Sequence, residues 1–153
     1  MIRPALIKDL PILVTMGKKF YDASGMAQWF DYDQASVRAF LTDLIESNRA
    51  CLFVAEFQKK PVGAIGGMFY PCYFNRAHLT GHEFFWWLDP EFRGGLHGLA
   101  MLRALEKWAL ANGCITNQMG ALEAQKPDEM IALYRKLGYA PKEYIFCKRL
   151  TDA

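Results

Sequence analysis

The chain has 153 residues, of which 52% are hydrophobic and 22% charged, and its formal net charge is +2. This composition is typical of a folded protein with an apolar core and excludes an intrinsically disordered chain. The basic residues are scattered instead of forming a stripe with interleaved aromatic residues, so we do not expect nucleic acid as a partner. At this length we expect a single domain covering residues 1–153.

The sequence also argues against membrane association and against a metal site. No apolar run approaches the roughly 18 residues of a membrane span, and Lys8-Asp9 interrupts the N-terminus before a signal-peptide core could form. We therefore expect a cytoplasmic protein. The four cysteines form no C-x-x-C pair and are expected to be buried free thiols. His78 and His82 are four residues apart, but Gly81 and a predicted strand occupy this region instead of the helix that a zinc-binding H-E-x-x-H motif needs, so we expect no metal ligands there.

The first part of the chain predicts one short strand followed by two helices. The apolar opening from Ile2 to Leu6 predicts the strand, and an early Pro11 is typical of a helix that extends over about residues 9 to 22. Gly25 is expected to end this helix. A second helix is indicated from Asp33 onward, because Asp is a favoured N-cap and the apolar residues that follow recur at helical spacing.

Two later runs predict a β-hairpin. Ala50 to Phe57 and Pro61 to Tyr70 are apolar runs of strand length, joined by the short polar link 58–60. Gly66 and Gly67 interrupt the second run and predict a bulge or a close approach by another group. A looser stretch then leads into the next strand.

The stretch from Glu83 to Trp108 organises the rest of the chain. Glu83 to Leu88 predicts a buried strand, and the apolar spacing from Leu99 onward predicts a helix. Residues 93–98, here called the glycine junction, contain three glycines between the two. The first N–H groups of a helix have no internal acceptor, so phosphate groups bind there, and the junction predicts an anion site. Glycines that only make the turn are an equally compatible interpretation, and neither the G-x-G-x-x-G fingerprint nor a P-loop is present.

The last part of the chain predicts two strands and a helix. Cys114 to Leu122 is expected to return as a strand parallel to the one that ends at Leu88. Pro127 opens a helix through Leu137, and Tyr144 to Leu150 is expected to close the sheet. The predicted order is β-α-α-β-β-β-α-β-α-β, an α/β fold with a central mixed sheet flanked by helices.

Two segments and the element order resemble the GCN5-related N-acetyltransferase (GNAT) superfamily over essentially the whole chain. Residues 88–98, L-D-P-E-F-R-G-G-L-H-G, are similar to its pyrophosphate-binding motif Q/R-x-x-G-x-G/A, with Leu96 in place of the first glycine. Residues 132–139, A-L-Y-R-K-L-G-Y, are similar to its Y-x-K-L-G-F/Y segment. Pro127 stands where the family often carries asparagine.

The resemblance implies acetyl-CoA as the co-substrate and indicates where it binds. Backbone N–H groups from Gly94 to Leu99 would hold the pyrophosphate, and the pantetheine arm would follow the strand that ends at Leu88. The Leu88 N–H would face the thioester oxygen. The implied cofactor-binding residues are Leu88, Arg93, Gly94, Gly95, Leu96, His97, Gly98 and Leu99.

The implied activity is transfer of an acetyl group to a primary amine of a small molecule or protein, by direct attack on the thioester. An alkylammonium has a pKa of about 10, so a base or a desolvating pocket must help it lose a proton. Glu83 is the candidate base, because several GNAT enzymes place a glutamate there, and Tyr134 is the candidate acid for the leaving thiolate. A solubilising edge charge at Glu83 and a packing ring at Tyr134 are the alternatives.

Two other functions remain open. Leu96 and Pro127 favour a catalytically weak or inactive GNAT-like module that binds coenzyme A or a partner chain, and a structural domain without a cofactor is a third interpretation. We also allow for a homodimer. The acceptor cannot be deduced from the sequence, although aromatic residues fall in the regions that form the acceptor side in this family: Tyr21, Trp29, Tyr70 and Tyr73.

Overall fold

The computed structural model describes residues 1–151, which form five β-strands and four α-helices. In chain order these are β1 (Ile2–Pro4), α1 (Leu10–Ser24), α2 (Gln34–Glu46), β2 (Ala50–Phe57), β3 (Lys60–Pro71), β4 (Leu79–Leu88), α3 (Leu96–Ala111), β5 (Cys114–Gln118) and α4 (Pro127–Lys136). Short 3-10 turns lie at Ile7–Asp9, Met26–Gln28 and Pro90–Phe92. The order is the predicted one up to α4.

The chain divides into two compact units. The first comprises Met1–Phe20 and Asp33–Gly120 and contains the whole sheet. The second comprises Tyr21–Tyr32 and the residues from Ala121 onward, and contains α4. Across residues 1–151, no helix combines the length and the apolar character needed to cross a membrane.

The sheet is mixed, as predicted. Its strand order is β1-β2-β3-β4-β5, with antiparallel neighbours except for β4 and β5, which run parallel. A β-bulge interrupts the pairing of β3 with β4, because Gly66 pairs with Phe85 and Gly67 with Glu83. Phe84 is therefore the extra residue, and the bulge that the two glycines predicted is confirmed.

Helices cover both faces of this sheet. On one face, buried apolar side chains of α1 and α2 pack against β2, β3 and β4: Leu10, Leu13, Val14, Met16, Leu41, Leu44, Leu52, Val54, Ala64 and Trp87. On the other face, α3 supplies Met101 and Leu105, which pack against Ala55, Val62, Ile65 and Leu88. The apolar spacing that predicted these helices thus corresponds to the sides they bury.

Local signals in the sequence fix several element ends. Asp33 caps α2, and its carboxylate accepts the N–H of Ser36 at 2.8 Å. Gly25 follows α1 with a φ of 77°, and Gly113 follows α3 with a φ of 83°. Both glycines occupy the left-handed region, where a side chain would be strained, and the helix end predicted at Gly25 is confirmed.

The β2–β3 hairpin turns more tightly than predicted. Lys60 pairs with Phe57 and belongs to β3, which leaves a two-residue turn instead of the link 58–60. Both turn residues have positive φ, 47° at Gln58 and 64° at Lys59. This is the backbone of a tight hairpin turn, and it normally selects Asn and Gly.

The strand predicted from Tyr144 to Leu150 does not form. Within the described part of the chain, residues 141–150 carry no regular secondary structure, and Tyr144, Ile145 and Phe146 are 81%, 84% and 92% exposed. Tyr, Ile and Phe favour strands because their side chains pack well on a paired and half-buried sheet surface. These three side chains are exposed, so that stabilisation is missing here. The strand predicted from Cys114 to Leu122 is also shorter and ends at Gln118.

Candidate active site

The parallel pairing of β4 with β5 ends halfway along β4. The last paired residues are His82 and Gln118, whereas β4 continues to Leu88. The second half of β4 therefore has an edge that β5 does not cover, within the residues that the structure describes. Backbone groups on that edge are available to a ligand.

Glu83 lies where the two strands separate. Its Oε2 accepts a hydrogen bond from the backbone N–H of Gly120 at 3.0 Å. The sequence predicted that Glu83 starts this strand. Because β4 begins at Leu79, Glu83 lies in the middle of the strand instead. The strand begins earlier because the residues from Leu79 to His82 also pair with β3.

The surroundings of Glu83 give its carboxyl group an unusual proton affinity. Burial raises the pKa of Glu83 to about 7, and the hydrogen bond from the Gly120 N–H opposes part of that rise. Both protonation states are therefore populated near neutral pH. A carboxylate of this kind can accept a proton from a nearby group and return it to solvent.

Leu88 presents its backbone to the uncovered side of β4. The N–H of Asp89 donates to the carbonyl of Val62 in the β3 direction at 2.9 Å. Because consecutive backbone groups alternate along a strand, the N–H and C=O of Leu88 point away from β3. The C=O accepts the Nε–H of Arg93 at 2.8 Å, which places this arginine beside the same edge.

The glycine junction is open at its centre. Gly94 has a φ of 78°, which favours glycine, and a Cβ built on Gly94 or Gly95 would meet no heavy atom within 4 Å. Gly95 is the N-cap of α3, and no side chain caps this helix end. A ligand can therefore reach the backbone here without displacing protein atoms.

The helix α3 starts earlier than predicted, at Leu96 instead of Leu99. Leu96, His97 and Gly98 consequently form its first turn, where N–H groups have no acceptor inside the helix. No acidic side chain lies in that turn. The helix dipole adds partial positive charge at the same place, which favours an anion.

The side chains of this first turn leave the junction uncovered. Leu96, which replaces the first glycine of the motif, is 81% exposed and extends into solvent. The ring of His97 packs edge-on against Phe92 at 6.1 Å between centroids. A Cβ on Gly98 would lie 3.4 Å from the ring of Trp86, an ordinary van der Waals contact, so the first turn of α3 lies close to β4.

Tyr134 belongs to the second unit, where it lies on α4. It is 8% exposed, its ring centroid lies 5.7 Å from that of Tyr139, and its carbonyl accepts the Tyr139 N–H at 2.9 Å. The helix ends as predicted, with Gly138 following at a φ of 89°. The ring therefore contributes to packing, and the role of its hydroxyl stays a prediction.

The aromatic residues predicted on the acceptor side occupy varied settings. Tyr21 donates its hydroxyl to the carbonyl of Phe30 at 2.7 Å, and Tyr73 is 80% exposed. Tyr70 accepts a long hydrogen bond of 3.4 Å from Gln118. Within the second unit, a cavity of about 450 Å³ is lined by Trp29, Phe30, Asp31, Cys147, Lys148, Arg149, Leu150 and Thr151.

The cysteines and potential metal ligands are dispersed. Cys51 and Cys114 are buried free thiols, as predicted, whereas Cys72 is half-buried and Cys147 is exposed. Burial raises the pKa of Cys51 to about 12, so its thiol stays protonated. Among residues 1–151, no three His, Cys, Asp or Glu side chains come together in a way that could hold a metal ion.

Two residues of the site were missed from the sequence. Gly120 follows a strand and carries no local signal, since only the fold brings its N–H to Glu83. Asp89 was not among the predicted site residues. Its buried carboxylate accepts hydrogen bonds from Lys19 and Trp87. The sequence did contain one signal for Asp89, since it is a charged residue that lies between an apolar strand and the glycine junction.

Comparison with known proteins gives a family and a fold. The model of the Acetyltransferase (GNAT) family matches residues 17–139. No curated protein matches the sequence at a significant level.

Three solved structures illustrate the fold. A predicted acetyltransferase with acetyl-CoA from Clostridium acetobutylicum is 18% identical with a TM-score of 0.77, covering 98% of this chain and 96% of that one. An aminoglycoside acetyltransferase from an uncultured soil metagenomic sample, in complex with sisomicin, is 16% identical with a TM-score of 0.74, covering 99% and 96%. A transcriptional regulator from Bacillus halodurans C-125 is 20% identical with a TM-score of 0.79, covering 98% and 99%. At these identities the structures show the shared fold alone.

Proposed function

Because the chain belongs to the Acetyltransferase (GNAT) family, we propose that it transfers an acetyl group from acetyl-CoA to a primary amine of a small molecule or protein. The observation that carries the proposal is the carboxylate of Glu83, which lies where β4 and β5 separate and has a pKa raised to about 7. Among the structural neighbours, one contains acetyl-CoA and another the aminoglycoside sisomicin. These two neighbours support acetyl-CoA as the donor and an amine as the acceptor.

The glycine junction and the start of α3 fit the pyrophosphate of acetyl-CoA. The free N–H groups at the start of a 16-residue helix attract an anion, and the open space at Gly94 and Gly95 admits one. The predicted contacts from Leu96, His97, Gly98 and Leu99 are backbone contacts, so the exposed Leu96 side chain does not obstruct them. The pantetheine arm would then follow the uncovered edge of β4.

Glu83 would serve as the base. An ammonium of pKa about 10 gives up its proton unfavourably to a carboxylate of pKa about 7, so the reaction draws on the small neutral fraction of the amine. The neutral nitrogen bonds to the acetyl carbon, and the carbon–sulfur bond breaks with its electron pair on sulfur. The nitrogen must then lose one proton to become an amide, and Glu83 would accept that proton and return it to solvent.

Two further groups would complete the transfer. The N–H of Leu88 points toward the uncovered edge of β4, where it can donate to the thioester oxygen as negative charge develops. The hydroxyl of Tyr134 is proposed to protonate the leaving thiolate, since a phenol of pKa about 10 is neutral at working pH. These roles follow from the resemblance to the family.

The alternative is a GNAT-like module that binds coenzyme A without turnover. The observation that favours it is Leu96 in place of the first glycine of the motif. Its exposed side chain argues that the substitution leaves the backbone accessible, so both functions predict cofactor binding. They differ in whether the thioester is consumed.

The test combines cofactor binding with a screen of acceptors. Purified protein is titrated with acetyl-CoA by calorimetry, then incubated with acetyl-CoA and polyamines, amino acids, aminoglycosides or peptides while free thiol is measured. Amine-dependent thiol release supports the acetyltransferase. Binding without release by any amine supports the module, and absence of binding contradicts both.

Three further features are proposed with this function. We propose that residues 1–153 form one acyltransferase domain, since the family model matches segments of both units. A cytoplasmic location accords with a coenzyme A donor. A homodimer remains a prediction, which light scattering of the purified protein will measure.

A further inference from the structure

Asp89 joins the end of β4 to helix α1. Its Oδ1 accepts a hydrogen bond from the ammonium of Lys19 at 2.8 Å and another from Trp87 Nε1 at 3.1 Å. Asp89 is 9% exposed and Trp87 6%, whereas the Lys19 side chain is 49% exposed. A buried carboxylate is stable only with such partners, so this contact ties the residue that follows β4 to α1.

Arg93 makes a second connection a few residues later. Its Nε donates to the carbonyl of Leu88 at 2.8 Å, and its guanidinium carbon lies 4.6 Å from the centroid of the Trp87 ring. The 3-10 turn Pro90–Phe92 is closed between these two connections, with the Phe92 N–H donating to the Asp89 carbonyl at 2.9 Å. The segment before Gly94 is thus held at both ends.

The glycines that follow have no comparable contacts. Neither Gly94 nor Gly95 has a heavy atom within 4 Å of a built Cβ, and no side chain caps α3. Glycine also gives the backbone more conformational freedom than any other residue. The direction in which the junction presents its N–H groups must therefore be set by the segment before it and by the helix after it.

We propose that Asp89 is a positioning residue whose ion pair with Lys19 holds the glycine junction in the conformation that binds the pyrophosphate of acetyl-CoA. The inference rests on the proposed function, because it concerns the same site. It adds two residues, Lys19 and Asp89, whose side chains need not touch the cofactor. Small displacements of positioned groups have large effects on binding and rate.

The test compares Asp89→Asn and Lys19→Met with wild type. Asp89→Asn keeps an acceptor for Trp87 and removes the charge, and Lys19→Met keeps the length of the side chain. For either variant we expect about tenfold weaker binding of coenzyme A by calorimetry. A change of this size lies within the range of coupling free energies between residues in contact. We expect a matching rise in KM for acetyl-CoA, with kcat at saturation unchanged. Lys19→Arg should restore binding.

A second donor separates positioning from general loss of structure. S-acetylpantetheine carries the same thioester but no pyrophosphate, so its kcat/KM should be equal in variants and wild type. Arg103→Met is the control, since it breaks an ion pair of α3 with Glu106, 2.7 Å long, on an exposed surface. It should leave coenzyme A affinity unchanged.

The outcomes distinguish this inference from the proposed function. Wild-type affinity for coenzyme A in folded Asp89→Asn and Lys19→Met would overturn the inference and leave the function intact. Equal losses with both donors would also overturn it, because the effect would not concern the pyrophosphate. No coenzyme A binding by wild type would overturn the proposed function itself. If Asp89→Asn fails to fold, Lys19→Met alone tests the inference, because the Lys19 side chain is half-exposed and its replacement should be tolerated.

Discussion

The carboxylate of Glu83 and the backbone N–H of Gly120 lie 3.0 Å apart, across the gap that opens where β4 and β5 stop pairing. Parallel strands that separate leave backbone groups without sheet partners, and this hydrogen bond satisfies one of them. It also orients a carboxylate whose burial raises its pKa to about 7. The same contact thus fixes both the position and the direction of a potential base.

Replacing Glu83 by Gln should change the pH dependence of turnover. In wild type, kcat/KM calculated for the neutral amine should rise with pH and level off above 7 as the carboxyl group ionises. In Glu83→Gln the inflection should be absent and the plateau about 10²-fold lower, because the amide cannot accept the proton. Coenzyme A affinity should not change. An unaltered profile would assign proton removal to solvent or to another residue.

The same substitution should change stability in a pH-dependent way. The pKa of Glu83 rises from its ordinary value of 4.5 to about 7 on folding. The folded protein therefore binds this proton more tightly, so the contribution of Glu83 to stability is fully present below pH 4.5 and is lost as pH rises through 7. Glu83→Gln removes that loss, so the melting temperature of the variant minus that of wild type should increase between pH 5 and pH 8. A constant difference would contradict the buried setting of the carboxylate.

Local patterns predicted most of the fold correctly. The apolar spacing of α2, the cap at Asp33 and the glycines at 66 and 67 correspond to a helix, its start and a bulge. These features depend on neighbours in sequence, so the sequence alone carries them. The start of α3 was placed too late, because Leu96, His97 and Gly98 lack the apolar pattern although their backbone is helical.

Features that depend on distant residues could not be predicted. The partner of Glu83 lies after the next strand, and the partner of Asp89 lies on α1. The run from Tyr144 to Leu150 shows the reverse case, because its composition favours a strand that needs a pairing partner to form. The type of element was predictable locally, whereas contacts between elements required the structure.

A charge at the N-cap of α3 should separate helix stability from cofactor binding. Gly95 has ordinary extended backbone, with a φ of −104°, and open space around it, so Asp is tolerated there. In Gly95→Asp, the carboxylate favours the helix end but repels the pyrophosphate. We expect unchanged or slightly higher thermal stability and at least tenfold weaker coenzyme A binding.

Gly95→Asn is the matched control for that experiment. Asn has nearly the same size and capping ability as Asp without the charge, so its coenzyme A affinity should stay near that of wild type. Equal weakening in both variants would indicate a steric effect. Equal affinity in both would place the pyrophosphate away from the glycine junction.

The hairpin between β2 and β3 should be easy to stabilise. Gln58 and Lys59 both occupy the left-handed region, which costs an ordinary residue about 1 kcal/mol. Lys59→Gly should therefore raise the free energy of unfolding by roughly 0.5–1 kcal/mol in urea titrations, without affecting activity. Lys60→Gly is the control, because Lys60 pairs within the sheet and its replacement should destabilise. If Lys59→Gly also destabilises, the turn differs from the one described.

Tyr134→Phe should test whether the Tyr134 hydroxyl takes part in the reaction. The ring is 8% exposed and lies beside that of Tyr139, so Phe preserves the packing and removes only the oxygen. If the hydroxyl protonates the leaving thiolate, kcat should fall by about 10²-fold while coenzyme A affinity and melting temperature stay close to wild type.

A donor with a better leaving group provides the decisive comparison for Tyr134. An acetyl thioester of a more acidic thiol needs less help from an acid, so the deficit of Tyr134→Phe should shrink with such a donor. Tyr139→Phe is the matched control, since it removes the neighbouring hydroxyl and should retain turnover. Full activity of Tyr134→Phe with acetyl-CoA would leave this residue a packing role only, because a general acid cannot be removed without cost to the step in which the thiolate leaves.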